Sequence, residues 1–391
     1  MDLRLLLLSL CTFAAGLAEA ILTGILPSLA DDLNVSLSLA GQLTSLFSLS
    51  FAIAAPLLGW LTRGADCRRL LFITLLVFAA FNAGAALSPD YASLLLMRIG
   101  MAACCGLLIM QASLLAVELA PPGQRGRAIG LIFMGISGSL VFGVPAGVLV
   151  NDWFGWRWIF AAIALYSLPL AALLLALPRR TLESPANGAA YRRQLRSPAL
   201  NLAQLVSILL LGGHFTLFAY ITPWFQQVAG ITDSQSIALT LLLIGLAAIG
   251  GGYLGGWLSD RLGQRRALIV VPVLFALAMT AIPLSLGHPW LLLGALMVWS
   301  TISWMISPAV QSYLLASDPA SGSAGVALNT SAMHLGVALG AALGGAAISL
   351  AGIVWTPWVG VSLVSASVLC AALSCWLGRE PHALGLSAPS R

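Results

Sequence analysis

Glu19 is an acid set deep within an apolar run, where the chemistry open to a carboxylate is to hold or release a proton. At 1.5 Å per residue it lies about 12 Å along a helix axis from Pro27, well inside a hydrocarbon layer. Keeping a charge at that depth costs on the order of 2.5–3.5 kcal/mol even on the mild insertion scale, so the group must be neutral, paired or wetted. Desolvation favours the protonated acid and a nearby arginine favours the carboxylate, so alternating surroundings would make Glu19 a proton carrier. Thr12, Gly16, Glu19 and Thr23 follow the i, i+4, i+7, i+11 spacing of one helix face, which is expected to line a cavity. Arg98 sits at a compatible depth in a later apolar run.

Other polar and aromatic groups within apolar runs are Gln111, His214, Phe215, Tyr220, Trp299, Trp304, Asn329 and His334. Each is a candidate for solute contact, with helix-to-helix hydrogen bonding as the alternative. Helical phase puts Gln111 opposite Arg98, so both cannot face one cavity centre. His214 and His334 could also carry protons. Two histidines on different helices fall short of a metal site, and no cofactor is expected. No catalytic dyad stands in or beside the runs, so an enzyme is not expected. No GxxxxGK[ST] segment is present, which removes ATP as a direct driver.

The elements that must position these groups are membrane helices. Only 8% of the residues are charged and 60% are hydrophobic, against roughly a quarter charged in soluble domains. Apolar runs of spanning length fall at about 5–27, 39–61, 69–88, 92–116, 127–150, 157–177, 199–222, 235–258, 267–286, 289–313, 324–350 and 355–377. The fold class expected is therefore an all-α membrane protein with twelve transmembrane helices. All eighteen basic residues are arginine, and the net charge of +5 could suggest nucleic acid, but the arginines sit between the apolar runs. They gather in alternate loops (Arg63, Arg68 and Arg69; Arg125 and Arg127; Arg179 to Arg196; Arg261, Arg265 and Arg266), while Asp31, Asp32, Asp90, Asp152 and Asp233 fall in the others. The positive-inside bias then puts both termini in the cytoplasm. A cleaved signal peptide ending at Ala18-Glu19-Ala20 is the rival reading of the N-terminus, set against an apolar run that continues to Pro27. The six cysteines are expected as free thiols.

One long polar stretch, Pro178 to Pro198, reads as a cytoplasmic linker between an N-terminal bundle (1–177) and a C-terminal bundle with a short cytoplasmic tail (199–391). The halves repeat: GWL at Gly59 recurs at Gly256, and Pro27 and Pro223 close the first helix of each half. Paired six-helix halves holding a solute near the midplane are a transporter architecture. Small residues recur at every fourth position through Gly135, Ser139, Gly143 and Gly147, beside Pro145, and again through Gly336, Gly340 and Gly344. Such stripes admit close backbone approach and read here as sliding seams between the halves, with ordinary packing as the alternative.

GWLSDRLGQRR from Gly256 to Arg266 resembles the loop motif between the second and third helices of a half in the major facilitator superfamily. The copy GWLTRGADCRR from Gly59 departs from it, with Arg63 where the acid would stand and Asp66 where the glycine would. With Arg98 and Gly106, GVPAG at Gly143 to Gly147, GWRWIF at Gly155 to Phe160 and HFTLFAYITPWF from His214, the chain resembles the twelve-helix, proton-coupled drug and sugar efflux branch, near the arabinose efflux permease-like proteins. That resemblance implies that Arg98 contacts the first helix, that the fifth helix pairs with the eighth and the second with the eleventh, and that Asp260, Arg261, Arg265 and Arg266 latch one conformation. A contact between Glu19 and Arg98 in one state is expected, with Arg98 as a fixed strut the alternative. The function expected is export of a small organic solute in exchange for protons by a monomer in a bacterial inner membrane. Proton-coupled uptake and a transporter-like sensor are the rivals.

Overall fold

The computed structural model describes residues 3–121, 124–181 and 188–378. Twelve of its helices are long and apolar enough to cross a membrane: α1 Leu3–Ala20, α2 Leu37–Leu61, α3 Cys67–Ala86, α4 Tyr91–Leu119, α5 Arg127–Phe154, α6 Trp156–Leu174, α7 Pro198–Phe218, α8 Ser234–Leu262, α9 Gln264–Leu284, α10 Pro289–Ser317, α11 Gly322–Ala351 and α12 Ile353–Leu377. The expected C-terminal tail lies outside the described residues.

Local chemistry explains where these helices start and bend. Side-chain oxygens of Ser36, Asp66, Asp90, Ser197 and Asp233 accept hydrogen bonds from backbone N–H groups in the first turns of α2, α3, α4, α7 and α8. Asp66, the departure from the repeated loop motif, is thus an N-cap. Pro145 lacks an N–H and its ring crowds the carbonyl four residues back. The helix absorbs this in a π-turn over Ser139–Gly143.

The first expected run, 5–27, is not one continuous helix. It breaks at Ile21 and resumes as Leu22–Asp32, and α7 breaks in the same way at Ala219 and Tyr220 before Ile221–Trp224. Both breaks fall near the middle of a first helix, and a discontinuous helix frees backbone groups where a transporter holds its cargo. The linker holds a helix of its own, Gly188–Arg196, docked on the C-terminal half by the buried Gln194, whose amide donates to Ser321.

Packing follows a two-fold pattern. α1 lies on α5, α2 on α4 and α3 on α6; α7 lies on α11, α8 on α10 and α9 on α12. Adding six to each number of the first three pairs gives the second three. Gly155 and Gly352 start α6 and α12 with nearly the same backbone, φ 89 and ψ 160 against φ 95 and ψ 161, a region open to glycine alone. The halves meet along α2 with α11 and α5 with α8.

That contact is one-sided. Thr222 donates to the Thr23 carbonyl at 2.7 Å and Ser45 to the Ala338 carbonyl at 2.8 Å, both on the side of Glu19 nearer the acidic loops. Gly245 packs against Val141 there. Towards the arginine-rich loops, Leu57, Trp60 and Leu61 on α2 and Tyr253 and Trp257 on α8 are exposed, and a Cβ added at Gly130, Gly252 or Gly256 would meet nothing within 4 Å. The halves are closed towards the acidic face and parted towards the arginine-rich face.

Candidate functional site

Glu19 ends α1 two residues before its break, and its side chain turns to the other half of the molecule. Its Oε1 lies 3.4 Å from Nδ1 of His334 on α11, with the two side chains 24% and 15% exposed. His334 Nδ1 makes no aligned hydrogen bond, so this contact is electrostatic. The His334 ring stacks on Phe51 of α2, centroids 3.7 Å apart at 23°. One acid from α1, one imidazole from α11 and one aromatic face from α2 therefore meet at the seam.

Arg98 is fully buried behind them on α4. Its Nη1 donates to the Ala18 carbonyl on α1, and its guanidinium lies 4.2 Å from the Phe47 ring centre. Its Nε and Nη2 have no partner. Arg98 thus touches the first helix through backbone, beside Glu19 rather than on its carboxylate, and two buried donors are left free for a carboxylate to fill.

The other candidates divide by location. Thr12 donates to the Ile132 carbonyl of α5, and a Cβ on Gly16 would strike Ser139, so this part of the expected cavity face is instead the seam between α1 and α5. Thr23, beyond the break, is buried where the halves touch. Gln111 is turned inward, its Oε1 accepting from the Cys67 thiol at 3.2 Å. Asn329 donates to Gln204 and Ser207 of α7, which ties the C-terminal half together. Gln111 and Asn329 take the helix-to-helix alternative for one reason: inside a bundle a lone polar side chain is satisfied by its neighbouring helix before it can serve a cavity.

His214, Phe215 and Phe218 of α7, Phe275 of α9 and Trp299 of α10 form one aromatic cluster, with His214 stacked 4.4 Å from Trp299. Phe215 is its partly exposed member. Tyr220 donates to the Ala341 carbonyl and packs on Gly41 across the seam, where any Cβ would collide with it.

The glycine stripes also face another way than expected. Gly143 and Gly147 turn to Leu17 and Ile21 of the first helix, and Gly336 and Gly340 to Ile208 and Gly212 of α7. They join helices within each half, because residues four apart share one face and that face meets one neighbour. The α5–α8 seam uses the adjacent face: Leu140 and Val144, with Phe218, line a small apolar cavity against Leu241, Ile244 and Gly245.

At the arginine-rich face, Asp260, Arg261, Arg265 and Arg266 are exposed. Arg265 donates to the Gly378 carbonyl at 2.6 Å, and Arg261 lies over Trp257. Asp260 has no ion-pair partner among the described residues and caps no helix. Phe47 and Phe51 escaped sequence reasoning, since an aromatic in a greasy helix carries no signal of its own. No group of three metal-ligating side chains lies together among the described residues.

The profile of the Major Facilitator Superfamily matches residues 8–325, and the chain belongs to that family. It is similar to the uncharacterized MFS-type transporter YbcL of Bacillus subtilis (strain 168), 30% identical over 94% of this chain and 95% of that one. It is similar also to the inner membrane transport protein YdhP of Escherichia coli (strain K12), 30% identical over 95% of both chains. A chloramphenicol resistance protein of Streptomyces lividans is 31% identical over 87% of this chain and 88% of its own length. Among solved structures, a D-xylose-proton symporter superposes with a TM-score of 0.76 at 17% identity, covering 95% of this chain and 96% of that one. A bacterial homologue of the human lysosomal transporter Spinster, inward-facing and unoccupied, also gives 0.76 at 17% identity, covering 97% of each chain. The twelve-helix major facilitator fold and a multi-pass membrane protein follow.

Proposed function

We propose that this member of the Major Facilitator Superfamily exports a small organic solute in exchange for protons, by rocking residues 1–177 against residues 199–391 about the linker 178–198. The observation that carries the reading is the place of Glu19: an acid beside the mid-membrane break of the first helix, at the seam, facing His334 of the opposite half. A carboxylate whose partner sits on the other moving body changes its proton affinity whenever the bodies move. Arg98 is its second partner, through the Nε and Nη2 donors now unfilled. Solute occupies the space open to the arginine-rich face, bordered by Glu19, His334 and Phe51, with Phe215 as the partly exposed edge of the aromatic cluster.

That face is cytoplasmic on this reading, with both termini on it, and the protein works as a monomer in a bacterial inner membrane. The exposed Asp260, Arg261, Arg265 and Arg266 cluster is a latch now undone, because the helix ends it would join stand apart. Export rather than uptake rests on the relative named for chloramphenicol resistance, since a proton symporter shares the fold.

Proteoliposomes loaded with a panel of solutes that includes chloramphenicol, with and without an imposed pH gradient, test this. The intact protein should move at least one solute several-fold faster under the gradient. Glu19→Gln should abolish that acceleration and leave solute exchange in place. Unchanged gradient dependence in Glu19→Gln would remove Glu19 from the mechanism.

A further inference from the structure

We infer that His334 is the second proton-handling group of this transporter, and that Glu19 exchanges partners between His334 across the seam and Arg98 within its own half. The inference rests on the proposed function and assigns its proton to a particular atom. His334 brings the ring nitrogen Nδ1 to 3.4 Å from Glu19, yet that nitrogen has no aligned hydrogen bond and is otherwise sealed. Burial disfavours an imidazolium at this depth, and what favours one there is the facing Glu19 carboxylate. The Phe51 face stacked on the ring favours the charged form further.

The other groups that act on Glu19 are few. Arg98 and Cys105 of α4 are near enough to interact with its charge, and His334 is the titratable group facing it from α11. Phe51, facing from α2, does not titrate. Arg98 keeps Nε and Nη2 unfilled while its third donor holds the Ala18 carbonyl one residue from Glu19. A carboxylate released by His334 thus has a pair of preplaced donors within its own half.

The proton balance is simple. With the acidic face open, Glu19 is held as a carboxylate by Arg98, and neutral His334 takes one proton from that side. Imidazolium and carboxylate then draw α11 onto α1 and α2, closing the acidic face and giving the conformation described here. The proton leaves His334 to the arginine-rich side, the attraction falls, and the seam parts again once solute has entered from that side. One proton crosses inward, held by the His334–Glu19 pair while the acidic face is closed. The pair exists only while His334 is protonated, so its hold on this conformation is present at lower pH and lost as pH rises through the titration of His334.

Distances between spin labels at Leu61 of α2 and Ser323 of α11, exposed ends at the arginine-rich face, report the opening without any solute. In lipid nanodiscs, on a Cys370→Ser background, the long-distance population should grow as pH falls. His334→Gln should flatten that response, and so should Glu19→Gln, which removes the counter-charge and provides a second variant should the first fold poorly. A response of unchanged midpoint and amplitude in His334→Gln overturns the inference, as does an intact protein whose distances ignore pH. Flux indifferent to a pH gradient, with the distance response intact, would count against the proposed function and leave the His334 switch standing.

Discussion

Single residues here show what a charge needs in each setting. Arg98, in the apolar interior, is held by a backbone carbonyl and an aromatic face, so it keeps two donors in reserve. Arg157, at the acidic rim, has a full partner: Nη1 reaches Asp32 at 2.5 Å, and the Trp156 indole donates to the same oxygen. The hydrogen bond from Arg157 holds the Asp32 carboxyl below its ordinary range. A carboxyl lowered in the folded state stabilises above its unfolded value, and that contribution is lost as pH falls through the lowered one. Both side chains are well exposed, so screening limits the pair to about 0–1 kcal/mol. Arg157→Gln should therefore lower the thermal midpoint of the purified protein slightly near neutral pH, with the difference closing in strong acid. A difference that persists unchanged in acid would mean Arg157 acts through packing on Trp156 instead.

At the scale of helices, the period-four glycine stripes were plain in the sequence, and so was the prospect of close backbone contact. Which neighbour they meet was not, because spacing fixes a face and leaves its compass direction open. Gly340 abuts the Gly212 backbone, while Gly245 on α8 abuts Val141 across the seam. The two should fail differently when enlarged. Gly340→Val overpacks backbone against backbone within one rigid half, for about 1–3 kcal/mol, and should cut folded yield and thermal midpoint. Gly245→Val presses on a contact that opens in the proposed cycle, so the protein should stay folded while its acidic face is biased open and transport falls. Equal loss of folded protein in both would erase the distinction between bundle packing and moving seam. The expected length of the first run failed for a related reason: hydropathy reads straight through Ile21, since a helix break that keeps apolar side chains leaves no trace in an average.

The whole molecule was the most legible level. GWL recurring between Gly59 and Gly256 announced a repeat that the paired glycine turns at Gly155 and Gly352 now show in backbone angles. Which face is closed could not be read from residues, because on the proposed rocking cycle one sequence serves both arrangements. His334 illustrates the gap: as a lone histidine in an apolar helix it read as a solute contact or a proton carrier, and only the closed seam brings it to Glu19. The account turns on Glu19 exchanging protons as the halves rock, and the most direct measurement is proton movement itself. Vesicles with a trapped pH dye and no imposed gradient should show protons moving opposite to a transported solute when the solute is added, with no such signal for Glu19→Gln. Solute crossing at the intact protein's rate without any proton signal, or an equal signal from Glu19→Gln, would contradict it.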